Sequence, residues 1–180
     1  MGKAIGCAVG LMVIIALAGC STAPSSSSER QALVEESNSS LRQMEAADAG
    51  MARFVNGAYG YAIFPSAGKG GLIVGGAYGR GVVYEKGQFI GYSDISQATV
   101  GLQAGGQSFA ELVVFETRTD LNRFTAGKLS LAANVSAVIL KTGAADSARY
   151  TNGVAVFVEP IGGAMLEASI GGQQFTFDPK

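Results

Sequence analysis

Between Leu72 and Tyr84 the side chains sort by size with a period of two. Leu72, Val74, Tyr78, Val82 and Tyr84 fall on one face, and Gly75, Ala77, Gly79 and Gly81 on the other. Successive residues of a strand point to opposite faces, so the segment is a strand with one bulky and one nearly bare side. Glycine weakens a strand unless something needs the room it leaves. Close approach of another backbone or a ligand creates that need, and so, more commonly, does a barrel corner or a sharply coiled sheet. The pattern directs the chain towards a strongly curved β architecture.

The same habit recurs downstream. Tyr61 to Phe64 reads as a strand stopped by Pro65, and Glu85-Lys86-Gly87 as a hairpin turn into Gln88 to Tyr92. Small residues return from Thr99 to Gly106, after which Phe109, Glu111, Val113 and Phe115 alternate with Ala110, Leu112 and Val114. Thr117 to Asp120 offers a cap for a short helix through Leu121 and Phe124 that ends at Gly127. Leu129, Leu131, Ala133, Val135, Ala137 and Ile139 mark one face of a long strand, and a loop follows from Thr142 to Asn152. Val154 to Glu159, a turn at Pro160 to Gly163, and a terminal hairpin of Ala164 to Ile170 and Gln173 to Phe177 complete the chain.

Upstream, Ser28-Glu29-Arg30-Gln31 has the form of a capping box. Val34, Leu41, Met44, Met51 and Val55 then lay one apolar stripe along a helix ending near Asn56-Gly57. Its flanks are acidic, whereas helices that lie in a membrane surface carry lysine and arginine there, so the stripe is expected to pack on the core. The expected fold is α+β and β-rich: a strongly curved antiparallel sheet or partly closed barrel, with a long N-terminal helix and one short helix.

Residues 1–19 have the shape of a secretory signal peptide: Met1, Gly2 and Lys3 are weakly basic, Ala4 to Ala16 are apolar, and small residues follow. The apolar run is shorter than the roughly 20 residues that span a bilayer. Leu17-Ala18-Gly19-Cys20 resembles the lipobox of bacterial lipoproteins. That resemblance implies cleavage between Gly19 and Cys20, a diacyl thioether on Cys20 and an acyl chain, of the palmitate type, on the new amino terminus. Ser21 stands where an aspartate would retain many enteric-type lipoproteins at the inner membrane, so the expected location is the outer membrane, facing the periplasm. Residues 20–28 are then a lipidated cysteine and Ser/Pro/Ala tether spanning at most roughly 28 Å, and residues 29–180 are one domain.

Cys7 and Cys20 are the two cysteines and histidine is absent, so a mature chain carries no disulfide pair and no soft ligand set for zinc, copper or haem. No cofactor is expected. The net charge is −1, but four of the bases, Arg53, Lys69, Arg80 and Lys86, fall in one stretch with Glu85 as its lone acid. The chain has no basic stripe for nucleic acid. Gly76-Ala77-Tyr78-Gly79-Arg80-Gly81 lacks dinucleotide spacing, and Gly68-Lys69-Gly70 lacks the Ser or Thr of a phosphate loop. Ser66-Ala67-Gly68-Lys69 with Lys141-Thr142-Gly143 matches short strings of penicillin-binding enzymes, but the serine sits between Pro65 and Gly70 rather than at a helix start. No enzymatic activity is expected.

The run from Ala58 to Gly71 (AYGYAIFPSAGKGG), followed by Gly75 to Gly81 (GGAYGRG), resembles the opening signature of the SYLF lipid-binding domain family, also called the yeast actin-binding type. Gly91-Tyr92 and Val100 to Gln107 are similar to its second block, and Tyr150 to Phe177 to its terminal glycine-rich part. The resemblance implies binding to membrane phospholipids, with phosphoinositides and actin as partners of eukaryotic and fungal members; actin is not expected in a periplasm. It points to Lys69 and Arg80 as head-group contacts, to which charge adds Arg53 and Lys86. The alternative is an envelope structural or protein-partner-binding module with no lipid affinity beyond its anchor.

Overall fold

The computed structural model of the protein describes residues 23–131 and 138–180, the side chains of 101–103 and 164–171 excepted. The protein is α+β, with one open, strongly curled sheet, a long N-terminal helix and a few short ones. Helices α1 (Ser27–Ala47) and α2 (Met51–Gly57) lead into β1 (Gly60–Gly71), β2 (Val74–Glu85) and β3 (Gln88–Phe115). Then come α3 (Arg118–Thr125), β4 (Ser130–Leu131), β5 (Val138–Ile139), α4 (Ala144–Ser147) and β6 (Val154–Pro179). The expected leader and Cys20 lie outside the described residues, as do Ala133, Val135 and Ala137 of the expected long strand; the two ends of that strand are β4 and β5, each paired with β6.

The pairing dictates the curl. β1 and β2 form an antiparallel hairpin with Leu72-Ile73 at its tip. The first half of β3 pairs with β2, up to Val74 with Val100, and its second half with β1, from Gly71 with Gly105. β3 therefore arches over the hairpin tip, and β6, paired to β3 from Gly91 with Pro179 to Phe115 with Val154, arches over β3. With β3 and β6 each counted twice, eight strand positions cross the half-barrel, β5 and β4 outermost. In a flat sheet the two limbs of β6 would stand five strand spacings apart, about 24 Å, yet Met165 to Ile170 extend only about 17 Å. The sheet has to bend until its outer limbs approach. Phe64 of β1 accordingly meets Phe175 of β6 at 5.8 Å between ring centroids, across the concave side.

Both faces are covered in the half of the sheet away from the arches. α1 and α2 lie on the convex face over Ile63, Val82, Tyr84, Leu112 and Phe157. Met44, Met51 and Val55 are buried there as expected, and Leu33 is the most buried apolar residue of the first turns. The concave face holds Phe64, Val83, Ile95, Val113 and Phe115, closed by Leu121 and Phe124 of α3. Thr117 caps α3 as expected: the Asp120 amide donates to its Oγ1 at 3.4 Å, and Asp120 Oδ2 accepts from the Thr117 amide at 3.1 Å. Lys86 and Gly87 form the expected turn, both at positive φ (49° and 76°).

Five expectations change. The capping box is Ser26 with Glu29, not Ser28 with Gln31; a carboxylate outcompetes an amide for the orphan N–H, and Ser25 Oγ also donates to Glu29 at 2.9 Å. The tether is correspondingly shorter, because Ala23 is already packed in the core. The single helix breaks at Asp48 to Gly50, where the Asp48 carboxylate accepts from the Gly50 amide within the break and from the Ala145 amide far along the chain. β1 runs through Pro65, which occupies a bulge where β1 carries one residue more than both neighbours and so gives up no ladder hydrogen bond. Finally, β6 is one strand, not a strand, a turn and a hairpin. Pro160 pairs with Phe109 at a register shift, and β3 supplies partners throughout.

The bulge explains one of the bare positions. A Cβ on Gly81 would overlap the Ile63 carbonyl oxygen and stand 2.6 Å from Phe64 Cδ1. Gly81→Ala is expected to cost about 2 kcal/mol, read as a lower urea midpoint; a variant as stable as the parent would contradict this account of the glycine face.

Candidate functional site

Past the ends of α1 and α2 the convex face continues with nothing on it among the described residues. The register places Ser66, Gly68 and Gly70 of β1, Val74, Gly76 and Tyr78 of β2, and Ser96, Ala98 and Val100 of β3 on that one face. All are exposed, whereas the intervening residues Ala67, Ala77, Gly79, Ile95 and Thr99 are buried. The bare side of β2 therefore faces inward, and the bulky side, with Val74 and Tyr78, faces out.

Three features set this distal region apart. First, the segments that build it, 66–79, 95–110 and 160–177, contain 48 residues and two charges, Lys69 and Glu167. An average protein composition would place about 12 there. Second, its tip is apolar and open: Leu72 is 70% exposed, Ile73 69%, Val74 69% and Val100 62%. Hairpin tips ordinarily carry Gly, Asn or Asp, so a Leu-Ile tip runs against turn chemistry. Third, packing demands only one of the glycines of the face, Gly76, where a Cβ would stand 3.2 Å from the Gln97 carbonyl oxygen. A Cβ on Gly68 would meet nothing within 4 Å, and one on Gly70 or Gly106 would make only ordinary contacts at 3.6 and 3.7 Å.

The four basic residues chosen from the sequence are not brought together. Arg53 of α2 is ion-paired with Asp146 of α4 at 3.0 Å. Lys86 sits at the β2–β3 turn, at the end of the sheet away from the arches, its ammonium 5.1 Å over the Tyr59 ring. Lys69 pairs in register with Ala77 and Arg80 with Ser66, which puts those two side chains on opposite faces. Arg80 stands at the border of the uncharged face. Its Nε donates to Tyr78 Oη at 3.2 Å and lies 3.9 Å from Asp94 Oδ1; the Tyr78 bond first, with Asp94 and Glu29 behind it, pushes its pKa above the ordinary value. Ser66 and Lys69, three apart on a strand, likewise face opposite sides, so the serine–lysine pairing of the penicillin-binding string is not formed.

Elsewhere, a groove of about 520 Å³ between α1 and the β1–β6 side of the sheet is lined by Glu36, Gln43, Ser66 and Glu159, an acidic rather than basic lining. Glu111 is fully buried on the concave face; Gln173 Nε2 donates to its Oε2 at 2.9 Å, and Oε1 has no partner among the described residues. Burial pushes this carboxyl up to about 7, against the smaller opposing effect of Gln173. No described helix is long and apolar enough to cross a membrane.

Fold and surface together define a curled α+β half-barrel with a nearly uncharged, apolar-tipped end. No family model matches the chain. Over 122 residues it is 29% identical to Beta cell expansion factor A of Aeromonas veronii, an alignment that covers 67% of this chain and 46% of that protein. This chain thus spans about half the length of that relative.

The uncharged region was the signal that sequence reading missed. It is visible as two long stretches with one charge each and one with none, but attention to charged residues passes over the places that lack them.

Proposed function

We propose that this chain is a non-catalytic, outer-membrane-anchored lipoprotein whose SYLF-like domain binds membrane phospholipids. The observation that carries the reading is the exposed, almost uncharged distal half of the sheet. An exposed apolar patch of this kind marks an interaction surface, and a bilayer tolerates apolar residues and small residues but penalises charge. The proposed anchor fits the same reading. Ala23, the first described residue, belongs to the cluster with Leu33 and Tyr92 on the convex face, the face that also carries Val74, Tyr78 and Val100. A tether this short holds the domain at an effective concentration in the millimolar range, so modest intrinsic affinity suffices.

The test is flotation of the mature chain, residues 20–180 with Cys20→Ser, on phospholipid vesicles. This chain keeps every residue the structure describes. Retention with the vesicles is expected; a protein left at the bottom of the gradient with every envelope phospholipid at low salt would overturn the lipid-binding claim and favour the partner-binding alternative.

A further inference from the structure

We infer that the arched end of the sheet is a membrane-insertion element, and that the ligand it takes is the acyl–head-group boundary of a bilayer rather than a charged head group. The inference rests on the phospholipid-binding reading above and says which part of the lipid is bound, and by what. Leu72, Ile73, Val74 and Val100 are the inserting side chains, and Tyr78, four residues behind Val74 on the same open face, is placed at the water boundary with Arg80 and Asp94 beyond it. Aromatic residues with a polar tip suit that level of a membrane. From Arg80 to Val74 the composition passes from charged to apolar along about 20 Å of strand.

Backbone pairing makes the element compatible with lipid. A peptide group entering hydrocarbon needs its hydrogen bonds made within the protein. β1 is paired on both sides up to Gly71 and β2 up to Gly75, and β3 is paired to β6 through its whole arch. The hairpin behind the apolar tip thus has no open edge; among the described residues the open edge is the outer one of β6, which between 159 and 172 pairs only with β3. A head-group site built on bases has no such support, because Arg53, Lys69, Arg80 and Lys86 lie on different faces and levels and Arg53 and Arg80 have acidic partners. A bilayer is also favoured over a protein partner by composition: protein interfaces ring an apolar centre with polar and charged residues, and here 66–79, 95–110 and 160–177 around the tip carry only Lys69 and Glu167 as charges.

The experiment compares flotation of the Cys20→Ser mature chain with variants at exposed positions, which leave the core untouched. Leu72→Asp and Ile73→Asp are each expected to lower partitioning at least about tenfold on neutral phosphatidylcholine vesicles, as suits an apolar side chain withdrawn from the bilayer. Ile139→Asp, an equally exposed apolar position on β5, is expected to leave it unchanged. Parent binding is expected to be nearly the same at low and high salt. Parent chain retained while both tip variants float equally well would overturn this inference and leave the lipid-binding reading standing; loss of binding in Arg53→Glu or Lys86→Glu with the tip variants intact would do the same. A parent chain that never floats would sink the broader reading instead. A dimer formed without lipid and dissolved by Leu72→Asp or Ile73→Asp would assign the end to a second copy of the chain and overturn the bilayer assignment.

A spectroscopic arm reads the position directly. With Cys20 replaced, the mature chain holds no other cysteine, so Ile73→Cys accepts a single environment-sensitive fluorophore. Its emission is expected to shift to the blue on vesicles and to be quenched by lipids brominated along the acyl chain; an unshifted, unquenched signal from vesicle-bound protein would overturn the insertion.

Discussion

Glu111→Gln is expected to make the protein more stable at pH 8 by about 3 kcal/mol, several degrees in Tm, while changing it little at pH 4.5. The carboxyl is fully buried, with one oxygen bonded to Gln173 and the other without a partner among the described residues. Its pKa rises from the ordinary 4.5 to about 7 in the folded state, through desolvation. Between those values the folded protein holds a proton that the unfolded chain has released, so stability falls as pH rises through the window and levels off above it. Glutamine keeps the shape and the contact to Gln173 and never ionises. Urea unfolding of both proteins at pH 4.5 and 8 measures the effect, and equal stability of parent and variant at pH 8 would show that the carboxyl is not desolvated in solution.

Asp48 imposes the opposite dependence. Its carboxylate lies at the break between α1 and α2, 1% exposed, and accepts from the Ala145 amide at 2.7 Å and the Gly50 amide at 2.9 Å. The Ala145 bond is the main reason its pKa lies below the ordinary 3.8, with Gly50, Gly143 and Ala144 adding to it against desolvation. The stabilisation is complete above the unfolded pKa and is lost as pH falls through the folded one. Asp48→Ala strands two buried amides and removes a charge-assisted link across 97 residues of sequence, and is expected to cost about 3 kcal/mol. Asp48→Asn keeps one acceptor and is expected to cost about half as much. The two carboxyls together place the stability maximum on the acid side, near pH 4 to 5; a maximum at pH 8 would contradict the Glu111 assignment, and stability undiminished below pH 3 would contradict that of Asp48.

What could be read from the sequence followed the range of the interactions. The cap of α3, the Lys86-Gly87 turn and the apolar stripe through Met44, Met51 and Val55 depend on neighbours within a few residues, and each is where local chemistry puts it. The alternation from Val74 to Tyr84 gave the two faces of β2, although not which face was inner, because that depends on the curl imposed by β6. Gly105-Gly106, Pro160 to Gly163 and Gly171-Gly172 resemble turn signals, but a long strand crosses them all, since β3 and β6 supply each other's hydrogen bonds continuously. Leu72-Ile73 carries no turn chemistry and looked like the start of a strand; the β1–β2 pairing makes it the tip. The basic residues were chosen by charge and by family resemblance, and only the register reveals that Lys69 and Arg80 point apart.

Three concentric arches also impose a schedule on the chain. The β1–β2 hairpin needs only its own residues, β3 has a template once that hairpin stands, and β6 must wait for both, with Gly91 finding its mate at Pro179. Most of the sheet is thus made of contacts between distant parts of the sequence, the kind that close in milliseconds to seconds rather than microseconds. Until the last strand is laid down, the outer edge of β3 remains an open template, so the interval before closure is when this polypeptide is most exposed to pairing with the wrong strand.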